Sequence, residues 1–113
     1  MDCIFCSIIH GKIPSDIIYQ DDVFIAFRDI HPQAPVHVLI IPRVHIASIN
    51  DVTEKHTELM GKLMLTAKKI AAAEKISVSG YRLAFNTGPD GTQIVPHIHL
   101  HLLGGRRLSD DIG

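Results

Sequence analysis

The sequence predicts an α+β domain built on a mostly antiparallel sheet, and two observations carry that expectation. Strand-like runs gather before and after one long amphipathic stretch, and the apolar residues of that stretch recur at i, i+3 and i+4. At 113 residues the chain is one domain, spanning 1–113. In order, "CIFCSIIHGKIPS" reads as a short helix or turn stopped by Gly11 and Pro14. Ile17–Gln20 and Val23–Arg28 read as two strands around a tight turn at Asp21-Asp22. Pro32 and Pro35 break the chain before "VHVLIIP", whose nearly continuous apolar run suits a buried central strand. The long helix is expected from about residue 52 to 75, with Leu59, Met60, Leu63, Met64, Ala67, Ile70 and Ala71 as its core stripe. Asp51 or Thr53 can cap its start, and Glu58 precedes Lys62 by four on the outer side. "GYRLAFN" is a further strand, "TGPDGTQ" a turn-rich loop, and "VPHIHLHLLGG" the last strand.

Composition excludes several classes. Hydrophobic residues at 46% and charged residues at 20% describe a globular chain, and a net charge of -1 argues against a nucleic-acid binder. No apolar run approaches the roughly 20 residues needed to span a bilayer, and the N-terminus lacks a basic region followed by an apolar run. The expected home is the cytoplasm, where two cysteines stay reduced or bind a metal. Eight histidines are the outlier, because imidazole titrates near neutrality and serves as base, nucleophile or ligand.

Three of them alternate in "PHIHLHLLGG". On a strand His97, His99 and His101 share one face and Ile98, Leu100 and Leu102 the other. The apolar set is expected under the helix, the imidazoles in a cleft or at solvent. Like charges repel, so neighbouring imidazoles stay neutral near pH 7, as a nucleophile or general base requires. A solvated polar face and a catalytic metal site are the alternatives; the latter needs a third ligand and an open position. Gly88, Gly91 and Thr92 allow close backbone approach, so amides there could cradle a phosphate, with Asn86 and Gln93 bracketing the loop.

"HIHLHLL" resembles the signature of the histidine triad (HIT) superfamily. "DCIFCSIIHGKIPS", "FRDIHPQAPVHVLIIPRVHI", "NTGPDGTQ" and "HLLGGR" are similar to its nucleotide-binding (Hint) branch, in the same order, over essentially the whole chain. The resemblance implies a five-stranded antiparallel sheet with one long and one short helix, paired as a homodimer. It implies cleavage of purine nucleoside 5′-phosphoramidates through a covalent nucleotidyl-histidine, with no cofactor required for catalysis. His99 would be the nucleophile, His101 a donor to a phosphate oxygen, His97 a group beside the leaving amine, and His37 the residue that orients the nucleophile. Read from the residues alone, His37 is equally an orienting group or a satisfied core histidine. Asp29 would hold the ribose hydroxyls, against the plain reading of a strand-end turn residue. Phe27, Ile30 and Ile18 would surround the base, and Asn86, Thr92, Gln93 and Ile94 would form the phosphate loop. Two departures bear on the substrate: Ile94 stands where relatives often carry a hydroxyl, and Pro96 is more typical of the branch that hydrolyses dinucleoside polyphosphates.

"CIFC" alone supplies half of a tetrahedral zinc site or a pair of partly buried thiols. By resemblance to bacterial relatives, Cys3, Cys6, His45 and His97 would hold a structural Zn2+. His97 cannot both ligate that ion and protonate a leaving group. The competing functions are a dinucleoside polyphosphate hydrolase, a non-catalytic purine-nucleotide-binding adaptor, and a zinc-only structural module.

Overall fold

The computed structural model describes residues 3–112. Five strands form one antiparallel sheet: β1 (Ile17–Gln20), β2 (Phe24–Arg28), β3 (Val36–Pro42), β4 (Tyr81–Ala84) and β5 (Leu100–Gly104), in the order β1-β2-β3-β5-β4. A short helix, α1 (Ile4–Ile9), and a long one, α2 (Thr57–Ala73), pack on opposite faces. The α+β class is therefore as expected.

The β1–β2 turn is made by Asp21. Its carboxylate accepts from the amides of Val23 (2.8 Å) and Phe24 (2.7 Å), so the hairpin closes without glycine. β3 is buried on both faces. Leu39 stands opposite Phe27 and His101, and packs toward α1 with Phe5, Ile8 and Ile41. Val38 and Ile40 point the other way, with Leu102 and Leu100, into a core closed by Leu63, Ala67, Ile70 and Ala71 of α2. A strand with both faces covered needs a continuous apolar run rather than alternation.

Two boundaries differ from expectation. α2 starts at Thr57, because Ser48 and Thr53 each cap a separate 3-10 turn (Ile49–Asp51 and Glu54–His56) before it. Thr53 and His56 form a reciprocal box in which the Thr53 amide donates to His56 Nδ1 at 3.0 Å. Met64 sits at the exposed edge of the helical stripe instead of in the core. The ladder of β5 begins only at Leu100, because its register would next pair Ile98 with Pro42, which has no amide hydrogen to give. The Ile98 amide turns to the Ile46 carbonyl instead, at 2.7 Å. At the far end of α2, Lys75 takes a left-handed conformation (φ 62°) and Ile76 N–H returns to Ala71 O. The cap residue Glu74 accepts both guanidinium nitrogens of Arg28, at 2.8 and 3.2 Å, tying that helix end to the end of β2.

Leu63→Ala should lower the unfolding free energy by about 2–5 kcal/mol in urea titration, since Leu63 is 1% exposed in the α2 core. Lys62→Ala, which breaks only the exposed pair with Glu58, should cost less than about 0.5 kcal/mol. Equal losses would mean that the α2 core does not hold the fold.

Candidate active site

A cavity of about 700 Å³ opens on the α1 side of the sheet. Its apolar wall comes from Ile4, Phe5 and Ile8 of α1, from Ile13 and Pro14, and from Phe27 and Leu39 of the sheet. Asp29, Ile30 and Gln33 stand on one side, and Asn86, Thr92 and Ile94 on the other. His99 and His101 face it from β5 and the residues just before.

The imidazoles are not at open solvent: His97 is 0% exposed, and His37 and His99 are buried. Burial is the largest cause pushing all four imidazoles below their ordinary value. His101 goes down to about 4, with repulsion from His99 and His37 adding to burial and the Asp29 carboxylate opposing. Mutual repulsion, the sequence argument, is the smaller effect.

Hydrogen-bond partners then assign the protons of these neutral rings. His99 Nδ1 lies 2.7 Å from the His97 carbonyl oxygen, which only accepts, so Nδ1 carries the hydrogen and Nε2 the lone pair. The ring is held edge-on by Phe5, centroids 5.0 Å apart. For His37, the Gln33 amide donates to Nδ1 at 3.0 Å, so Nε2 carries the hydrogen. That Nε2 lies 2.9 Å from His101 Nδ1, which accepts, leaving His101 Nε2–H as a donor. One backbone amide therefore orders a two-ring relay that makes His101 a donor, beside the His99 ring with its free Nε2 lone pair.

Asp29 stands both in the strand-end turn and at the cavity. Oδ1 accepts the His31 amide at 2.8 Å as a turn residue would, while Oδ2 lies 3.4 Å from His37 Nε2 and the residue lines the cavity. Asp29, His37 and His101 also bring three donor atoms within 4.8 Å. The Gln33 amide on His37 Nδ1 places a proton, not a lone pair, at Nε2, so this group is poorly suited to a metal ion.

The second cluster is suited to one. Cys3, Cys6, His45 and His97 hold their ligand atoms within 4.8 Å of one another. His97 Nε2–H donates to the Pro42 carbonyl at 2.9 Å, which leaves the Nδ1 lone pair directed at the cluster. Nδ1 of His97 lies 3.4 Å from Cys3 Sγ, 3.6 Å from Cys6 Sγ and 3.2 Å from His45 Nδ1. Bonds of about 2.0–2.3 Å to a tetrahedral ion give ligand–ligand edges of roughly 3.3–3.8 Å. The observed spacings fall on or close to that range.

His97 is thus corrected as a leaving-group residue: both its nitrogens point away from the cavity, one to Pro42 and one to the sulfur cluster. Ile18 is corrected as a base contact; an irregularity in β1 turns it into the α2-side core. Ile4 and Ile8 of α1 line the cavity, and their i, i+4 spacing was the signal for it. Gln93 does not line the cavity. Its amide nitrogen donates to the carbonyls of Ala47 (2.7 Å) and Val95 (3.0 Å), bracing the loop. Of the amides expected to form a cradle at Gly88, Gly91 and Thr92, two are spent inside the loop: Thr92 N–H goes to Pro89 O and Gly88 N–H to Gln93 Oε1. Gly91 has no room for a side chain, since a Cβ would lie 2.4 Å from the Thr87 oxygen. Thr92 sits at φ 58°, costing roughly 1–2 kcal/mol that the loop bonds offset. His45 belongs to the sulfur cluster, Asn86 lines the cavity with its amide nitrogen donating to the Gly91 carbonyl at 2.7 Å, and Ile94 lines it at 90% exposure.

Residues 10–108 match the family model described as HIT domain. The chain is 54% identical over 107 residues to the purine nucleoside phosphoramidase of Escherichia coli strain K12, covering 95% of this chain and 90% of that protein. It is 46% identical to the 14 kDa zinc-binding protein of Brassica juncea, covering 96% of each. The crystal structure of a HIT family hydrolase from Legionella pneumophila Philadelphia 1 superposes with a TM-score of 0.97 at 52% identity, covering 99% of this chain and 100% of that one. A histidine alternation whose rings are sorted by their backbone partners, on this sheet and with these relatives, places the chain in the HIT domain family.

Proposed function

We propose that this protein is a nucleotide hydrolase that cleaves purine nucleoside 5′-phosphoramidates at the α-phosphorus through a nucleotidyl-His99 intermediate. The 2.7 Å bond from His99 Nδ1 to the His97 carbonyl carries this reading, because it presents a neutral Nε2 lone pair to the cavity. The relative named a purine nucleoside phosphoramidase supports the substrate class. In the first step His99 Nε2 bonds to phosphorus as the phosphorus–nitrogen bond breaks, and the amine leaves with the electron pair, protonated by water at the open mouth. Water then attacks phosphorus, releasing the nucleoside monophosphate and restoring neutral His99. His101 Nε2–H steadies the phosphate oxygens as charge builds. Asp29 accepts from the ribose hydroxyls, and the α1 isoleucines with Phe27 and Ile30 receive the base.

A structural Zn2+ at Cys3, Cys6, His45 and His97 fits the same reading, and the relative named as zinc-binding supports it. Four protein ligands close the site, so the ion would contribute stability rather than chemistry. A cytoplasmic homodimer is also part of the proposal. β4 lies at the sheet edge, where a second copy could extend the ladder. No helix among the described residues is long and apolar enough to cross a membrane.

Wild-type protein should release AMP from adenosine 5′-phosphoramidate, and His99→Ala should lower kcat by roughly three orders of magnitude or more. Higher kcat/KM on diadenosine tetraphosphate would move the protein to the polyphosphate-cleaving branch. Since burial depresses the imidazoles, the active neutral forms persist as pH falls through 6.5, and the acid limb of kcat/KM should lie below that value. The same sign applies to stability. The unfolded rings take up protons below 6.5 and the folded His101 only near 4, so stability should drop between those values. An acid limb at or above 6.5 would contradict the buried-neutral assignment. Metal analysis should find zinc in the wild type and none in a Cys3→Ser/Cys6→Ser variant, which should melt at lower temperature. Chelation that abolishes turnover while circular dichroism and melting stay unchanged would make the ion catalytic and sink the histidine mechanism.

A further inference from the structure

The tail of the "HLLGGRR" motif has no part in the chemistry above, yet it lies against the loop that sets the relay. Gly105 leaves β5 at φ 90°, and a Cβ there would come within 2.9 Å of Pro35 Cβ, so only glycine lets the chain pass so close. Arg106 then reaches back. Its Nη2 donates to the Gln33 carbonyl at 2.9 Å and its Nη1 to the Arg107 carbonyl at 3.0 Å. On the other side of the same residue, the Gln33 amide donates to His37 Nδ1. The loop has few other ties. Pro32 and Pro35 offer no amide hydrogens, and among the described residues hydrogen bonds from outside reach residues 30–34 only from Asp29, His37 and Arg106.

We propose that Arg106 is a positioning residue for the histidine relay: through the Gln33 carbonyl it holds the Gln33 amide on His37 Nδ1, and so keeps the His101 donor aimed at the cavity. The inference rests on the phosphoryl-transfer reading for its kinetic consequence but not for its structural one. Arg106 itself is exposed and touches neither the cavity nor a reacting atom. The Gln33 carbonyl and amide belong to the two peptide units that flank its Cα, so the clamp acts by fixing the Gln33 backbone dihedrals, and without it both units are free to turn. His37 then loses the donor that excludes a hydrogen from Nδ1, only Asp29 Oδ2 at 3.4 Å still favours Nε2–H, and in the Nδ1–H form His101 loses the partner that fixes its own tautomer.

The test pairs kinetics with ¹⁵N NMR of the histidine rings. In the wild type His37 should show a protonated Nε2 and an unprotonated Nδ1. Arg106→Ala should show a mixture of the two forms, with kcat on adenosine 5′-phosphoramidate down about tenfold, the scale of one charge-assisted hydrogen bond, and KM little changed. Arg106→Lys, which keeps one donor in reach of the Gln33 carbonyl, should recover most of kcat. Arg107→Ala, whose backbone carbonyl is retained, should match wild type in both measurements. The proposal is overturned if Arg106→Ala keeps the wild-type His37 pattern, whether or not kcat falls. If the wild type fails to turn over the phosphoramidate, the proposed function fails, and the ring spectra still decide the role of Arg106.

Discussion

The hydrogen bond from His99 Nδ1 to the His97 carbonyl is the constraint on which the rest of the site depends. An imidazole in water exchanges between two tautomers, and only one of them offers a lone pair in a given direction. Here burial keeps the rings neutral, and main-chain groups choose the form of each. The Pro42 carbonyl takes Nε2–H of His97, the His97 carbonyl takes Nδ1–H of His99, and the Gln33 amide, through His37, leaves His101 with Nε2–H. Three identical side chains come to present an Nδ1 lone pair to the sulfur cluster, an Nε2 lone pair to the cavity and an Nε2–H donor, without any difference in their covalent structure.

What the sequence made legible follows from this division. The shared face of the histidines was visible because a period of two is a property of strand geometry. The burial of β3 on both faces was visible because its run of valine, leucine and isoleucine has no polar break. The sequence left His97 between a leaving-group residue and a zinc ligand, because the direction of its ring is decided by the carbonyl of Pro42, 55 residues away in the chain. Nor was the start of α2. Ser48 and Thr53 are both good caps, and the sequence does not say that each closes a short 3-10 turn of its own. The base wall was assigned to Ile18 because resemblance transfers residue types more easily than positions. The β1 irregularity that turns Ile18 inward leaves no clear mark in the sequence.

The loop from Asn86 to Val95 shows a different economy. Gly88, Gly91 and Thr92 suggested an amide cradle, but the amides of Gly88 and Thr92 serve the loop itself. Gly91 is needed because Thr87 is in the way, and Thr92 is held in a conformation that a β-branched residue rarely adopts. A stiff loop that keeps its shape before any ligand arrives loses less entropy when one binds. The α1 wall opposite it is apolar and packed, so the polar contacts of the cavity are few and fixed in place.

His99 and the sulfur cluster meet through His97, and Cys3 Sγ lies 3.4 Å from a ring 94 residues further along the chain. α1, which walls the cavity, and β5, which carries His101 and follows directly on His99, are likewise separated by most of the sequence. Contacts of such long range form late, since the loop they close must first be ordered. Reactivity is therefore among the last properties the chain acquires as it folds. A partly folded molecule contains every histidine of the site, yet it lacks the main-chain partners that give each ring a defined tautomer.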